Sequence, residues 1–570
     1  MTLASSMNAR VKAWAEQDPE EKYAEAALLL LEAIEDGDKH ALEKAQVLFG
    51  SRLAFGTAGI RGPMRLGPNG INRVVVSQTT AGLARYLSEK PLGIRDNPLH
   101  VVVGFDGRHH SENFARDTVE IFSGHGIRAS IMPRPLPTPV LAYAVRALEA
   151  DAGVMITASH NPGQDNGYKV YFGGGDEGSQ IIPPVDQEIE AHIRNVARGI
   201  TWAEIPRSPE LVTFVPEDIV TSYISATCES LDLRPVKCSQ LSIVYTPMHG
   251  VGGELFLAAM DKAGFPEPHI VEQQFDPDPD FPTVSFPNPE EKGALDLSFE
   301  KAHSVGAELI IAHDPDADRL AVALSDSSVS GGYRALTGNQ VGAIFGWYLG
   351  EKAHSSGRKG TLANSLVSSP VLGKIAYHFG LDHEETLTGF KYVSRVKNLI
   401  FGFEEALGYL VTPDVVRDKD GISAGLLMAS LAQTLANEGK TLSDYLHMVE
   451  EAVGGFASGQ ITVQLELGAP GSMVTLALRK KKLKSVGSRS VISHDDFMKG
   501  VGPFPKEDIL RYYLDDDTRV IARPSGTEPK VKIYIDTLGS NSLKAQERLA
   551  EVEEDVLEIL GHLELGPPLS

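Results

Sequence analysis

Two cysteines in 570 residues, Cys228 and Cys238, leave no disulfide framework and suit a reducing compartment. No apolar run approaches the ~20 residues that span a bilayer. Met1 to Arg10 lack the apolar core of a secretory signal, so the expectation is a cytoplasmic protein with no membrane partner. Positive charge is the scarcer sign: 53 Lys and Arg against 76 Asp and Glu give a net charge of −23. That balance excludes a general nucleic-acid or acidic-membrane binder. An anionic substrate would have to be met by Arg and Lys gathered locally. The lysine-rich run Arg479-Lys480-Lys481-Lys482-Leu483-Lys484 has no interleaved aromatics, as a base-stacking surface would. It reads as a solvated loop or a protected strand edge.

What is present is an ordinary soluble composition, 42% hydrophobic and 23% charged, in a chain too long for one core. Length predicts roughly three to four domains. From about Trp14 to Phe49 the chain reads as helical, broken at Asp36-Gly37-Asp38, and as an appendage to the first domain. Strands and helices then alternate. Apolar runs at Val101 to Phe105, Ala152 to Ile156, Gln240 to Tyr245, Leu309 to Ala312 and Gly360 to Asn364 read as buried strands feeding polar loops, which argues α/β layers. Linkers are expected near Pro206 to Pro209, Ser327 to Gly332 and Gly454-Gly455. After about Phe456 the pattern changes to a smaller α+β unit, with strands near Ile461 to Leu465, Val520 to Arg523 and Val531 to Ile535 before a closing helix, Leu543 to Leu560.

Three loops carry chemistry. Thr157-Ala158-Ser159-His160-Asn161-Pro162 follows a buried strand, so Ser159 stands where a rigid element presents a reactive side chain. His313-Asp314-Pro315-Asp316-Ala317-Asp318-Arg319 sets three carboxylates at alternate positions after another strand. All-oxygen ligands with room for a phosphate oxygen suit magnesium, and three like charges this close repel unless a cation neutralises them or some are protonated. The glycine and distal glutamate of an EF-hand are missing. Arg523-Pro524-Ser525-Gly526-Thr527-Glu528-Pro529-Lys530 offers an arginine fork, two hydroxyls and backbone N–H groups to a phosphate dianion. Two weaker signals accompany them. Phe55 to Gly62 brings Arg61 amid glycines, and Gly402 to Gly408 brings the paired acids Glu404 and Glu405.

In this order, from about Phe55 to Tyr534, the segments resemble the α-D-phosphohexomutase superfamily, the phosphoglucomutase/phosphomannomutase enzymes. Within it, the helical extension, the Phe-Gly-Thr-Ala-Gly-Ile-Arg-Gly loop and the Phe-Glu-Glu-Ala loop are most similar to the phosphoglucomutase-2/phosphopentomutase branch. The resemblance implies three related α/β domains and a smaller α+β domain around a central cleft. On that frame the divisions fall at 1–50 for the extension, 51–207 for a phosphoserine domain, 208–330 for a metal-binding domain, 331–454 for a sugar-binding domain and 455–570 for a phosphate-binding domain.

The resemblance also assigns roles. Ser159 would be the phosphoserine, and Asp314, Asp316 and Asp318 would bind one Mg²⁺ with its phosphate. Arg61 and Arg319 would lie near that phosphate, with His160 and Lys169 flanking the reacting oxygens as alternative general bases. Lys391 would face the sugar, Glu404 would bind its hydroxyls, and Arg523, Ser525, Gly526 and Thr527 would hold the phosphate not being transferred. The implied activity moves a phosphoryl group between the 1-position and the terminal 6- or 5-position of an aldose phosphate, with a sugar 1,6-bisphosphate as activator. Phosphoglucomutase is the first expectation, phosphopentomutase or phosphomannomutase the alternative. Ala406 stands where many hexose-specific members have Ser, which keeps pentose phosphates in play. The partner is a small phosphosugar, and the chain is expected to be a monomer or homodimer. Two rivals are a haloacid-dehalogenase-type phosphatase using Asp314 and Asp316, which leaves Ser159 without a role, and a non-catalytic phosphosugar-binding protein. Synthesis of the bisphosphate is a related enzymatic option.

Overall fold

A computed structural model describes residues 3–56, 59–90, 98–233, 241–465, 470–524 and 530–563. It divides into two compact units, one of Met1–Leu336 with Ala406–Asn437, the other of Thr337–Glu405 with Glu438–Ser570.

The first unit opens with three helices, Leu3–Ala15, Glu21–Glu35 and Lys39–Phe49. The expected break falls at Asp36 to Asp38, where the Asp38 carboxylate accepts from His40 N at 2.8 Å and caps the third helix. In the apolar group Ala26 to Leu31 only Ala27 and Leu30 are buried, as helical spacing allows, while Leu28 and Leu29 face outward. Val11, Trp14, Ala27, Leu30 and Phe49 join one apolar cluster with Val74, Val101, Val103 and Ile156, so the appendage shares the first domain's core.

That domain is built on a sheet whose centre is parallel: Ala152–Ile156, His100–Phe105 and Arg128–Ile131 run side by side, with Asp165–Phe172 antiparallel beyond Ala152–Ile156. A second sheet pairs Leu309–His313 in parallel with Ile243–Thr246 and antiparallel with Leu320–Ser325. Both chemistry-bearing strands, Ala152–Ile156 and Leu309–His313, are buried along their whole length. Strands covered on both faces are the ones that read as unbroken apolar runs. The returning segment adds the helix Gly421–Asn437, and Leu320 N donates to Leu407 O at 3.1 Å.

The second unit holds a parallel sheet of Asp382–Thr386, Thr361–Ser365 and Leu399–Glu404. It also holds an antiparallel sheet ordered Gly455–Gln464, Lys530–Gly539, Arg519–Pro524, Leu510–Leu514, Arg489–Asp496 and Ser485–Val486. The helix Ser542–Gly561 places Val552 and Val556 in a cluster with Ile533 and Ile535. A second cluster joins the two sheets' surroundings: Leu366, Val367 and Leu387 meet Phe497, Ile521 and Tyr534. Glu385 adds ion pairs to Arg511 at 2.7 Å and Arg519 at 2.9 Å. The lysine-rich run is neither loop nor strand at its start. Arg479 to Lys481 form the last turn of the helix Ser472–Lys481, where cations complement the carbonyl end of the helix. Arg479 pairs with Asp496 and Asp508.

Candidate active site

Ser159 and the acidic triplet lie together in the first unit. Beyond Ile156 the chain turns sharply: Ser159 has φ 54°, and its N–H donates to Thr157 Oγ1 at 2.9 Å. A left-handed conformation at a non-glycine residue costs about 1–2 kcal/mol and persists only where its surroundings enforce it. Beyond His313 the second loop does the same, with Ala317 at φ 51°. The two turns bring Ser159 Oγ to 3.0 Å from Asp314 Oδ2 and 3.2 Å from His160 Nδ1.

Asp314, Asp316 and Asp318 are fully buried, and one carboxylate oxygen of each lies within 4.8 Å of the others. Lys169 reaches in from the strand Asp165–Phe172, with Nζ 2.7 Å from Asp316 Oδ2 and 3.0 Å from Asp318 Oδ2. Lys419, just ahead of the helix Gly421–Asn437, lies 3.1 Å from Asp318 Oδ2. Arg319 Nε stands 3.8 Å from both Asp314 and Asp318, and Arg319 N–H donates to Asp314 Oδ1 at 3.1 Å. Thr138 Oγ1 donates to Asp316 Oδ2 at 2.7 Å. Arg61 Nη1 is 3.5 Å from Ala158 O, at the edge of the same loop.

The charges sort themselves by partner. Burial and the charges of Asp316 and Asp318 push the Asp314 carboxyl well above the usual carboxylate range. Burial also works against Asp318, but Lys169, Lys419 and Arg319 outweigh it and hold that carboxyl well below the range. Burial opposes the Lys169 ammonium too, yet Asp316 and Asp318 keep its pKa above that of an ordinary lysine. His160 goes the other way: burial, then Arg319 and Arg61, push it well below an ordinary histidine. Of the two residues expected as general base, His160 is therefore the neutral one. Behind the triplet, His313 is pushed by burial down to about 3. As a neutral ring it donates from Nε2 to Gly421 O at 2.9 Å and accepts at Nδ1 from Tyr245 Oη at 3.1 Å.

The residues fit a hard divalent cation. Asp316 Oδ1 and Asp318 Oδ1 are buried without a hydrogen-bond partner, and a buried anionic oxygen left unpaired costs more than the 1–3 kcal/mol of a neutral group. Among the described residues this is the only cluster of three or more potential ligands.

The second unit carries the remaining expected residues. Glu404 Oε1 accepts from Gly389 N at 2.7 Å, and Lys391 is buried with Nζ 4.8 Å from the centre of the Tyr392 ring. Burial pushes the Tyr534 hydroxyl up, and the charges of Glu405, Arg523 and Glu404 also act on it. Glu405 accepts from Ser368 Oγ at 2.9 Å. Ser525, Gly526 and Thr527 lie outside the described residues, as do Thr57, Ala58 and Cys238; Cys228 is buried with a free thiol.

Four models of phosphoglucomutase/phosphomannomutase domains match in sequence: α/β/α domain I over 52–199, domain II over 221–327, domain III over 337–452 and the C-terminal domain over 480–559. The chain belongs to the phosphoglucomutase/phosphomannomutase family. A "Probable phosphomannomutase" of Haemophilus influenzae is 49% identical over 86% of this chain and 98% of that protein. A phosphopentomutase of Mus musculus is 35% identical over 93% of this chain and 90% of that protein. A phosphoglucomutase/phosphomannomutase family protein of Burkholderia thailandensis has the same fold, with a TM-score of 0.66 at 19% identity, over 91% of this chain and all of that one. This phosphohexomutase-family chain is thus a phosphosugar mutase, an intramolecular phosphotransferase of the isomerase class. That removes the phosphatase and non-catalytic readings. No helix among the described residues is long and apolar enough to cross a membrane.

Two residues that touch Asp318 and the Ser159 loop escape a reading of motifs. Lys419 sits in the charged run Arg417-Asp418-Lys419-Asp420 directly before an apolar helix, which is a usable signal. Arg108, in Asp106-Gly107-Arg108 after the strand His100–Phe105, follows a buried strand just as Ser159 and Asp314 do.

Proposed function

We propose that Ser159 carries the phosphoryl group and that the mutase works on an aldopentose phosphate through a sugar bisphosphate. In the first step a sugar hydroxyl attacks phosphorus, the bond from phosphorus to Ser159 Oγ breaks, and the hydroxyl's proton reaches the departing Oγ by way of His160 Nδ1; the sugar then holds two phosphates. In the return step Ser159 Oγ attacks the other phosphoryl, its proton passes to His160 Nδ1, 3.2 Å away, and on to the sugar oxygen as the bond from that oxygen to phosphorus breaks. Lys169, held as an ammonium, balances Asp316 and Asp318 through both steps. Asp314, Asp316 and Asp318 would hold Mg²⁺, which when bound spreads the charge on the phosphoryl oxygens. Lys391 and Glu404 meet the sugar, and Arg523 with Ser525, Gly526 and Thr527 holds the second phosphate. The observation that carries the reading is the 3.0 Å approach of Ser159 Oγ to Asp314 across two separate domains of the sequence.

The likeness to the Mus musculus phosphopentomutase and Ala406 support the pentose alternative over the phosphoglucomutase expectation. A phosphomannomutase is the second reading, favoured by the 49% identity to the Haemophilus influenzae protein. A coupled assay of ribose, deoxyribose, mannose and glucose 1-phosphates, each with its bisphosphate, tests both. Ribose 1-phosphate should exceed glucose 1-phosphate in kcat/KM at least tenfold, and Ser159→Ala should be inactive on all four. Faster turnover of glucose 1-phosphate would refute the substrate assignment; an active Ser159→Ala would refute the phosphoserine.

A further inference from the structure

Arg108 is the most heavily used side chain beside the nucleophile, and no expected role accounts for it. Its side chain is 1% exposed and lies against Asp106, also 1% exposed, at 3.3 Å. The Asp106 carboxylate is itself anchored, accepting from Arg108 N at 3.0 Å and Ser111 Oγ at 2.6 Å. Arg108 Nη2 donates to Ser159 O and Asn161 O, each at 2.6 Å. Nη1 donates to Pro162 O at 2.8 Å and Asp165 O at 3.1 Å. The four terminal N–H bonds thus meet four carbonyls spread over seven residues of the serine loop. The guanidinium carbon stands 5.0 Å from the centre of the Phe281 ring, so the second domain's Phe281 covers one face of the plane. Gly163 in the same loop lies under that segment: a Cβ there would come within 2.8 Å of Pro279 O and 3.3 Å of Phe281 Cδ2.

A planar fork is required for this. An ammonium at the same place offers three donors from one point and cannot reach four carbonyls along a loop. We propose that Arg108 is a positioning residue for phosphoryl transfer: it fixes the loop in the left-handed turn that aims Ser159 Oγ at Asp314, and Phe281 keeps it in plane. The inference rests on the phosphoserine reading. It predicts a defect in the chemical step, since the loop's carbonyls face Arg108 and not the substrate. A misplacement of about 1 Å costs on the order of 100-fold in rate.

The test compares full-length wild type, Arg108→Lys, Arg108→Ala, Phe281→Leu and Ser159→Ala on ribose, mannose and glucose 1-phosphates, each with its bisphosphate. Arg108→Lys should lower kcat about 100-fold with KM within threefold. Guanidinium chloride at about 20 mM should restore Arg108→Ala at least tenfold, which a general loss of stability would not allow. Phe281→Leu should lower kcat at least fivefold at unchanged KM, and it decides alone if the Arg108 variants do not fold. An inactive Ser159→Ala beside a wild-type kcat in Arg108→Lys, or a loss confined to KM, overturns the inference alone. Wild-type turnover by Ser159→Ala overturns it together with the phosphoserine reading.

Discussion

Asp314→Asn and Asp318→Asn should differ sharply in the metal-free protein, although both remove one carboxylate from the same buried triplet. At 4.8 Å and an effective dielectric constant near 20, each pair of ionised acids repels by about 3.5 kcal/mol. The cations do not share this burden evenly. Asp318 has Lys169 at 3.0 Å and Lys419 at 3.1 Å, whereas the nearest cation to Asp314 is Arg319 at 3.8 Å. Burial, and then the charges of Asp316 and Asp318, push the Asp314 carboxyl well above the usual carboxylate range and so favour its protonated form. Asparagine imitates that protonated form: Oδ1 can still accept from Arg319 N and Nδ2 can still meet Ser159 Oγ. In EDTA at pH 7.5, Asp314→Asn should therefore stay within about 1 kcal/mol of wild type. Asp318→Asn leaves two buried ammonium groups short of an anion and should lose about 3 kcal/mol, the lower end for a broken buried pair because Asp316 and Asp418 remain. Mg²⁺ at 100 times its Kd should stabilise wild type by about 2.7 kcal/mol and Asp314→Asn by far less. Denaturant or thermal melts with and without Mg²⁺ read all four quantities. Equal losses for the two variants in EDTA, or a wild type indifferent to Mg²⁺, would refute the charge assignment.

Two further outcomes follow from packing and titration. Gly250→Ala would set a Cβ 2.4 Å from Pro315 Cα and 2.5 Å from Pro315 O, both backbone atoms of the acidic loop; about 1–3 kcal/mol of stability and at least tenfold in kcat should be lost, and a wild-type kcat would show that the loop tolerates displacement. His100 and His313 are pushed by burial down to about 4 and about 3, so the unfolded chain takes up protons that the folded one refuses. Stability should be full above pH 6.5 and fall as the pH drops towards 4, and His100→Gln should remove up to about 1.4 kcal/mol per pH unit of that slope; an unchanged slope would contradict the neutral ring.

The strands that deliver the chemistry were legible because both are buried on two faces: Ala152–Ile156 and Leu309–His313 are near-continuous apolar runs ending in loops. The strand Asp382–Thr386 was not, since its sequence DHEET has no apolar residue and three of its positions are exposed. Lys482 to Lys484 of the basic run are the solvated loop its lysines predict, but the helix that Arg479 to Lys481 end is decided by Val474 and Leu478, buried one turn apart. Arg108 shows the limit of motif reading. Its function is to satisfy carbonyls that lie 51 to 57 positions further along, and carbonyl demand leaves no trace in side-chain identity. Lys419 is similar: it is recognisable as charged, but only the return of 406–437 to the first unit puts it beside Asp318.

That return has a consequence for anyone dissecting the enzyme. Because residues 406–437 fold with 1–336, the unit holding Ser159 and the acidic triplet is not a continuous stretch of polypeptide. A fragment stopping at Leu336 would carry Ser159 and all three acids, yet strip Asp318 of an ammonium and His313 of the Gly421 carbonyl its ring depends on. Autonomy in this molecule belongs to a spatial grouping rather than to any span that scissors could release, and complementation by a separate 406–437 peptide is the form in which a minimal unit around Ser159 and the triplet would have to be rebuilt.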